Sequence, residues 1–347
     1  MKRALFITTH PVLGGAQKWT YDQMSILSEQ YELYFATGSE GWLGDKVKPL
    51  CQEISVDKGL YRFSSLRYLF RLQKFVKSNH IDIVIASSAN AGIYARLLKI
   101  LLPGLSVVYV SHGWSAIYRG NWLYQKVEKM LSFLTTKILV VSKDDYKKAI
   151  DVLKIDPKKL VVIENGILPY EDDACKSERT TEPYTMSVVM TARFEYPKRQ
   201  DILIEAANIL PNIHFTFVGE GHYLDRFKEN SPSNVTFLGT LTDLKPVMKE
   251  SDIFVLLSDS EGMPLAAIEA LACGKPVIFS NLSSMEVFIQ DNGLLVKNDM
   301  DSVVKALVKI QNMDLASLGK SSKKLFNARF NLLNKQKEYI EFYESVV

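Results

Sequence analysis

Short apolar runs rich in β-branched residues alternate with helical patterns along the whole of this 347-residue chain. Such near-continuous apolar runs are typical of strands buried on both faces of a parallel sheet. The candidate strands form two successive sets of six, at residues 4–8, 32–36, 81–87, 106–110, 137–141 and 160–163, and at residues 186–191, 214–218, 235–238, 253–257, 276–279 and 294–296. The sequence therefore predicts an α/β protein with two doubly wound domains.

The segment at residues 165–169 separates the two sets and is followed by a polar, acidic stretch typical of a linker. We place the first domain at residues 1–168 and the second at residues 169–329, and apolar residues at helical spacing predict a closing helix at about residues 330–347. Ligands of open parallel sheets bind beyond the carboxyl ends of the strands. With two facing domains, the loops that follow the strands are expected to line a central cleft.

Charge and cysteine content restrict the classes of function. The net charge is +3, but the first 168 residues carry 23 Lys and Arg against 14 Asp and Glu, so only the first domain is expected to meet an anionic surface. No apolar run reaches the roughly 18–20 residues of a spanning helix. The three cysteines are scattered, which predicts no disulfide or structural zinc and fits a reducing cytoplasm. A metal site and a nucleic-acid partner both lack a signature.

The segment at residues 258–278 has the pattern of a strand end, an acidic loop, a helix and the next strand. Glu261 and Glu269 flank a helix start predicted at Pro264. Free N–H groups and the positive dipole end suit phosphate there, while carboxylates suit hydroxyls, and a nucleotide sugar offers both. The alternative is ordinary acidic charge near a helix N terminus. The backbone expected to contact the ligand belongs to Gly262, Met263, Pro264 and Leu265.

Two cations follow the first predicted strand of the second domain. Arg193 and Lys198 suit a diphosphate and would stabilise the charge of a leaving group as a glycosidic bond breaks. The alternative is a solvated basic loop, because Arg199 is also there.

Other candidates also follow predicted strands. Gly14 and Gly15 precede a helix and allow close backbone approach to a ligand, although a glycine pair also marks ordinary turns. Gly219 lies in a loop after a strand of the second domain. His112 follows a strand directly, and this position favours a functional role as much as the structural role that a lone histidine usually has.

The segment from Leu60 to Lys77 contains five basic residues and no acidic one, with apolar residues at helical spacing. A basic amphipathic helix of this kind suits an anionic membrane surface. The alternative is an ordinary surface helix of the first domain.

Together these features resemble the GT-B glycosyltransferases of family 4, the retaining group often found in surface-polysaccharide synthesis. The resemblance covers nearly the whole chain and is carried by Gly14-Gly15, His112-Gly113-Trp114, Val141-Ser142, Glu164-Asn165-Gly166, Arg193 with Lys198, Gly219-Glu220-Gly221, and the Glu261 and Glu269 block through residue 278. The chain departs from the family pattern at Gln17, Ala192 and Arg199.

The resemblance implies a donor nucleotide sugar held mainly by the second domain, in a GT-B arrangement of two Rossmann-like domains. Glu261 would contact the transferred sugar and Glu269 the ribose. The diphosphate would be held by Arg193 and Lys198, assisted by Gly14, Gly15 and the backbone of residues 262–265. His112 would lie near the reactive face of the sugar. The closing helix would pack back onto the first domain, and neither a metal nor a cofactor would be needed.

The expected function is transfer of a hexose-type sugar from a nucleotide diphosphate donor, a UDP-sugar, to a lipid-linked saccharide in polysaccharide, capsule or O-antigen synthesis. The enzyme would be cytoplasmic and peripheral on the inner face of the cell membrane. Two alternatives use the same architecture: a sugar-nucleotide epimerase or phosphorylase, and a non-catalytic nucleotide-sugar-binding protein. A dinucleotide-dependent dehydrogenase is a further alternative, but the chain lacks the full glycine fingerprint of that class.

Overall fold

The computed structural model describes residues 1–62, 65–114, 117, 122–170 and 183–347. The chain divides into two compact units. The first comprises Met1–Asn165 together with Asn334–Val347, and the second comprises Gly166–Leu333. No helix within the described ranges is long and apolar enough to cross a membrane.

The first unit is built on a parallel sheet. Its described strands are β1 (Lys2–Thr8), β2 (Tyr31–Thr37), β3 (Cys51–Val56), β4 (Ile83–Ala86), β5 (Ser106–Ser111), β6 (Lys137–Val140) and β7 (Leu160–Val162). They are arranged in the order β3-β2-β1-β4-β5-β6-β7. The order reverses between β1 and β4, so β1 and its neighbours occupy the middle of the sheet and are buried on both faces.

Helices connect these strands. The described helices of the first unit are α1 (Gly15–Leu27), α2 (Trp42–Val47), α3 (Leu66–Ser78), α4 (Ala89–Leu101), α5 (Trp122–Phe133) and α6 (Lys143–Asp151), with 3₁₀ turns at Lys48–Leu50, Lys58–Tyr61 and Pro157–Lys159. Side-chain caps fix two of the helix starts: the hydroxyl of Ser65 accepts from Tyr68 N at the start of α3, and that of Ser142 accepts from Asp145 N at the start of α6.

The second unit has the same design. Its described strands are β8 (Met186–Thr191), β9 (Ile213–Val218), β10 (Val235–Phe237), β11 (Ile253–Leu256), β12 (Val277–Ser280) and β13 (Gly293–Val296), in the order β10-β9-β8-β11-β12-β13. Its helices are α7 (Gln200–Ile209), α8 (Leu224–Glu229), α9 (Lys245–Glu250), α10 (Leu265–Ala272), α11 (Met300–Gln311) and α12 (Leu315–Leu325), with a 3₁₀ turn at Glu286–Phe288 and a π-helical turn at Phe326–Phe330.

The predicted fold class of two doubly wound parallel sheets is confirmed. All twelve predicted strands are present, with ends that differ by a few residues at most. The sequence analysis missed β3, an edge strand that pairs only with β2. Its residues are all exposed or half-buried, because an edge strand is covered less than a central one, and so it lacks the apolar run on which the predictions rest.

The last helix, α13 (Leu332–Glu344), begins at the unit boundary, and its residues from Asn334 onward belong to the first unit. Tyr343 is fully buried, and its hydroxyl donates to Gln23 Oε1 on α1 at 3.3 Å. Beyond the helix, the hydroxyl of Ser106 donates to the carbonyl of Val346 at 2.6 Å. The first unit is therefore assembled from two separate parts of the chain.

Among the cysteines that the structure describes, Cys51 at the start of β3 is a free thiol.

Candidate active site

The strand order of the second unit reverses between β8 and β11, which pair directly. Doubly wound sheets bind ligands outside the carboxyl ends of the strands at such a point. The loops after these two strands are hydrogen-bonded to each other: Arg199 N donates to Leu257 O at 3.0 Å, and Asp259 N donates to Pro197 O at 2.9 Å. The fold therefore brings the predicted cationic loop and the predicted acidic loop together.

Lys198 and Glu261 form an ion pair between these loops. The two side chains are sheltered, with 18% and 9% of their surfaces exposed, so water screens their attraction less than at an open surface. The backbone fixes the pairing as well, because Lys198 forms an antiparallel bridge with Ser258. The arrangement places a phosphate-binding cation beside a carboxylate that can accept from hydroxyls.

Arg193 lies in the same loop as Lys198, but its side chain is 80% exposed. One guanidinium nitrogen lies 3.5 Å from a carboxylate oxygen of Glu195. Its backbone is held more firmly, because Gln200 Nε2 donates to the carbonyl of Arg193 at 2.8 Å. Arg193 therefore has an anchored main chain and a side chain with room to turn towards an anion.

The second predicted carboxylate lies on α10. Glu269 is only 7% exposed, and the hydroxyl of Tyr170 donates to its Oε1 atom at 3.3 Å. The helix begins at Leu265, one residue later than predicted, with Pro264 as its N-cap and no capping side chain among the described residues. The side chains of Met263 and Leu265 are buried, so the polar groups of these two residues are those of their backbone.

Gly219 follows β9 and packs against the loop after β8. Its φ of 138° is unfavourable for other residues, and an added Cβ would lie 2.2 Å from the carbonyl oxygen of Ala192. Gly221 is similar, with a φ of 150° and 2.7 Å between an added Cβ and the carbonyl oxygen of Phe194. These glycines let two loops at the carboxyl edge of the sheet approach closely.

The sequence analysis missed a group of polar residues that holds the acidic loop. Asn298, just after β13, donates through Nδ2 to the carbonyl of Ser258 and to Asp259 Oδ1, at 2.9 Å in both cases. The hydroxyl of Ser280 donates to Asn298 Oδ1 at 2.5 Å and accepts from Ser258 N at 2.8 Å. Arg199 Nη1 adds an ion pair to Asp259 Oδ1 at 3.3 Å. The signal that could have found Asn298 is its position two residues beyond a predicted strand.

In the first unit, Gly14 is the N-cap of α1 and Gly15 is its first residue. A Cβ at Gly14 would lie 2.9 Å from Gln17 Oε1, the end of a flexible side chain, and a Cβ at Gly15 would meet nothing within 4 Å. Gln17 in turn donates from Nε2 to the carbonyl of His10 at 2.6 Å. The N terminus of α1 has no capping side chain among the described residues, so its backbone is open to a ligand.

His112 follows β5, and its ring packs edge-on against Trp19 of α1, with 5.1 Å between ring centroids. The residue as a whole is half-buried, but its Nε2 atom is buried and has no hydrogen-bond partner among the described residues. Burial lowers the pKa of His112 to about 4. The ring is therefore neutral at neutral pH, which leaves one nitrogen to donate and one to accept.

No group of three or more potential metal ligands occurs within the described residues. The Asp299 and Asp301 pair, which superficially matches a metal-binding motif, lies at the start of α11. Asp299 is the N-cap of that helix and accepts from Ser302 N at 2.8 Å.

Comparison with protein families gives two matches. Residues 13–169 match the family described as Glycosyltransferase Family 4, and residues 185–312 match Glycosyl transferases group 1. The O-antigen biosynthesis glycosyltransferase WbnH of Escherichia coli is 35% identical over 315 residues, which cover 89% of this chain and 90% of the relative. The chain therefore belongs to the family 4 glycosyltransferases.

A more distant relative has a more detailed name. The UDP-Gal:alpha-D-GlcNAc-diphosphoundecaprenol alpha-1,3-galactosyltransferase of Escherichia coli is 27% identical over 97% of this chain and 95% of the relative. Among solved structures, Anabaena Alr3699/HepE in complex with UDP and glucose is 19% identical, with a TM-score of 0.83 over 99% of this chain and 100% of that one. At this level of identity the structural likeness shows the fold, which is GT-B as the resemblance implied.

Proposed function

We propose that this glycosyltransferase retains the anomeric configuration and moves a hexose-type sugar from a UDP-sugar to a lipid-linked saccharide in O-antigen or capsule synthesis. The observation that carries the proposal is the sheltered pair of Lys198 and Glu261 at the switch point of the second sheet. The names of the two Escherichia coli relatives support the donor, the acceptor and the setting.

The donor roles follow from the chemistry of each group. Lys198 and Arg193 hold the diphosphate, Lys198 from a sheltered position and Arg193 through an exposed side chain on an anchored loop. Glu261 accepts from hydroxyls of the sugar, and Glu269 from hydroxyls of the ribose. Tyr170 supports Glu269 by orienting its carboxylate. The backbone at the start of α10 supplies donors to the phosphates.

The reaction proceeds by attack on the face of the sugar from which the diphosphate departs. The bond between the anomeric carbon and the phosphate oxygen breaks, and the bond to the acceptor oxygen forms on the same face. The leaving phosphate takes the proton of the acceptor hydroxyl, so no carboxylate nucleophile is required. Lys198 lowers the barrier by stabilising the charge that develops on the diphosphate, and we propose that no metal is needed for this.

The residues of the first unit keep the roles that the sequence suggested. His112, neutral at neutral pH, serves near the reactive face of the sugar, and Gly14 and Gly15 assist with the diphosphate. We propose a cytoplasmic enzyme that binds peripherally to the inner face of the membrane. The segment from Leu60 to Lys77 supports this, because α3 buries Tyr68, Leu69, Leu72 and Val76 and exposes basic residues.

Calorimetric binding of UDP, GDP, ADP and NAD in the absence of metal tests the donor site. We expect selective UDP binding that Glu269→Ala weakens by about tenfold, because a hydrogen-bonded carboxylate is lost. Glu286→Ala, on a 3₁₀ turn of the same unit, is the control. Binding of NAD alone, or of no nucleotide, would contradict the proposal.

Turnover distinguishes the alternatives. Incubation with a UDP-sugar and a lipid-linked acceptor should give a glycoside whose anomeric configuration, read by NMR, matches that of the donor. Interconversion of free nucleotide sugars without an acceptor would indicate an epimerase. Binding of a donor without turnover on any acceptor extract would indicate a non-catalytic protein.

A further inference from the structure

Helix α5 carries large apolar side chains on its outer face. Trp122, Met130 and Phe133 are 64%, 68% and 72% exposed, and their spacing of eight and three residues places them on the same side of the helix. Leu123 and Tyr124 are also exposed. A surface helix normally turns its apolar side towards the core, so this pattern is inverted and marks an interaction surface.

The inner face of α5, where Leu131 is buried, is also held by a charge pair. Arg96 of α4 is fully buried and makes two hydrogen bonds to Glu128, with Nη1–Oε2 at 2.8 Å and Nη2–Oε1 at 3.3 Å. The guanidinium also lies 4.1 Å above the ring of Tyr109. If α5 rotated about its axis to bury Trp122 or Phe133, Arg96 would remain buried without the carboxylate of Glu128, which is strongly unfavourable. The orientation of α5 is therefore fixed.

The exposed charged side chains of α5 itself are both lysines. Lys126 and Lys129 are exposed between the apolar residues, and Lys126 Nζ lies 4.5 Å from the ring centroid of Trp122. At the end of the helix, Lys159 Nζ donates to the carbonyl of Phe133 at 3.2 Å. Burial lowers the pKa of Lys159, and the nearby charges of Lys99 and Lys137 lower it further. The charge of Asp156 opposes this shift.

We propose that α5 is the main membrane-binding element of this enzyme, with Trp122, Met130 and Phe133 in the interfacial region of a bilayer that contains anionic lipid. Aromatic residues favour the headgroup level, and lysines between them favour anionic headgroups. The neighbouring helix α4 also exposes an apolar side chain, because Ile100 is 59% exposed. This proposal extends the membrane contact proposed for α3 and assigns the larger part of that contact to α5. It does not depend on which sugar the enzyme transfers.

Vesicle sedimentation of the full chain tests this. Wild-type protein should sediment with vesicles of phosphatidylglycerol and phosphatidylcholine. The variant Trp122→Ser/Met130→Gln/Phe133→Ser should bind at least about tenfold more weakly, because it loses the apolar anchors. The matched control is Leu66→Ser/Phe70→Ser, which removes exposed apolar side chains of α3 and should stay within about twofold of wild type. Unchanged binding by the α5 variant, or loss confined to the α3 control, would overturn the proposal.

A second variant tests the charges without touching packed atoms. Lys126→Glu/Lys129→Glu should weaken the preference for anionic over pure phosphatidylcholine vesicles more than Lys74→Glu/Lys77→Glu on α3 does, and an equal or smaller effect would overturn the proposal. A lipid-free dimer that the α5 variant dissociates, observed by analytical ultracentrifugation, would also overturn it in favour of a second copy as the occupant. UDP binding measured in the same variants should be unchanged, so failure of the donor assignment remains distinguishable from failure of the membrane assignment.

Discussion

Asn298 Nδ2 lies 2.9 Å from Asp259 Oδ1, which ties the residue after β13 to the loop after β11. The same amide holds the carbonyl of Ser258. Glu261 is two residues further along this loop, so its position depends on a side chain that follows β13. Lys198 follows β8, which is three strands away from β13 across the sheet.

We expect Asn298→Ala to lower kcat/KM for the donor by about tenfold, because two hydrogen bonds of roughly 1 kcal/mol each no longer hold the loop. Steady-state kinetics at several donor concentrations would measure this. Asn312→Ala, which removes a hydrogen bond to Val308 O at the exposed end of α11, should leave the kinetics unchanged. Equal kinetics for both variants would show that Asn298 does not position the loop.

Replacing Lys198 by Ala should reduce kcat by about 10²–10³-fold, the cost of removing one preorganised charge from a transition state. Lys198→Arg should recover part of the loss, because it keeps the charge. Lys228→Ala, on the exposed side of α8, is the control. Near-normal turnover by Lys198→Ala would remove Lys198 from the role that we propose.

Two of the candidate glycines, Gly219 and Gly15, should behave differently on substitution. Gly219→Ala should destabilise the protein by about 3 kcal/mol, because the added Cβ meets a backbone carbonyl and the φ is positive. Gly15→Ala should leave the melting temperature unchanged, because an added Cβ meets nothing within 4 Å. If Gly15→Ala nevertheless weakens UDP binding, the glycine pair contacts the donor. A normal melting temperature for Gly219→Ala would contradict the observed approach of the two loops.

Asp22 of α1 gives a pH-dependent prediction. Burial raises its pKa from 3.8 to about 6, and the charge of Lys18 opposes the shift. Burial raises the pKa of Tyr339 of α13, and the nearby charge of Asp22 adds to that shift. Because the folded state favours the protonated carboxyl, Asp22 contributes stability below pH 4 that is lost as the pH rises through 6.

Asp22→Asn removes this titration. Relative to wild type, its free energy of unfolding should therefore increase by roughly 3 kcal/mol between pH 4 and pH 7. Chemical denaturation across this range would measure the difference, with Asp45→Asn on the exposed side of α2 as the control. If the difference in the free energy of unfolding between Asp22→Asn and wild type does not change with pH, the pKa of Asp22 is not raised in the folded protein.

Much of the fold could be predicted because a strand buried on both faces must be apolar throughout. That rule located β1 and β8 and failed at β3, where the sheet ends and Gln52 and Glu53 are exposed. The acidic and cationic loops could also be placed, because both follow strands. Their pairing through Lys198 and Glu261 could not, since it depends on β8 and β11 being neighbours, and that order is a property of the sheet.

Helix α5 shows another limit of sequence patterns. Periodicity shows which residues share a face of a helix but not which face turns inward. In α5 the ion pair between Arg96 and Glu128 sets which face turns inward, and these two residues are 32 positions apart in the sequence. The supporting residue Asn298 was missed for a related reason, because polar residues after strands are common and only the fold shows which of them meet.

The return of α13 to the first unit has a consequence for synthesis. As the chain leaves the ribosome, residues 1–165 emerge before the second unit and long before Tyr339 and Tyr343, which are fully buried in the finished protein. Until then the surface of α1 around Gln23 lacks the helix that covers it. The half of the protein that is made first is therefore the last to be completed, and during that interval its unfinished surface is open to association with other chains.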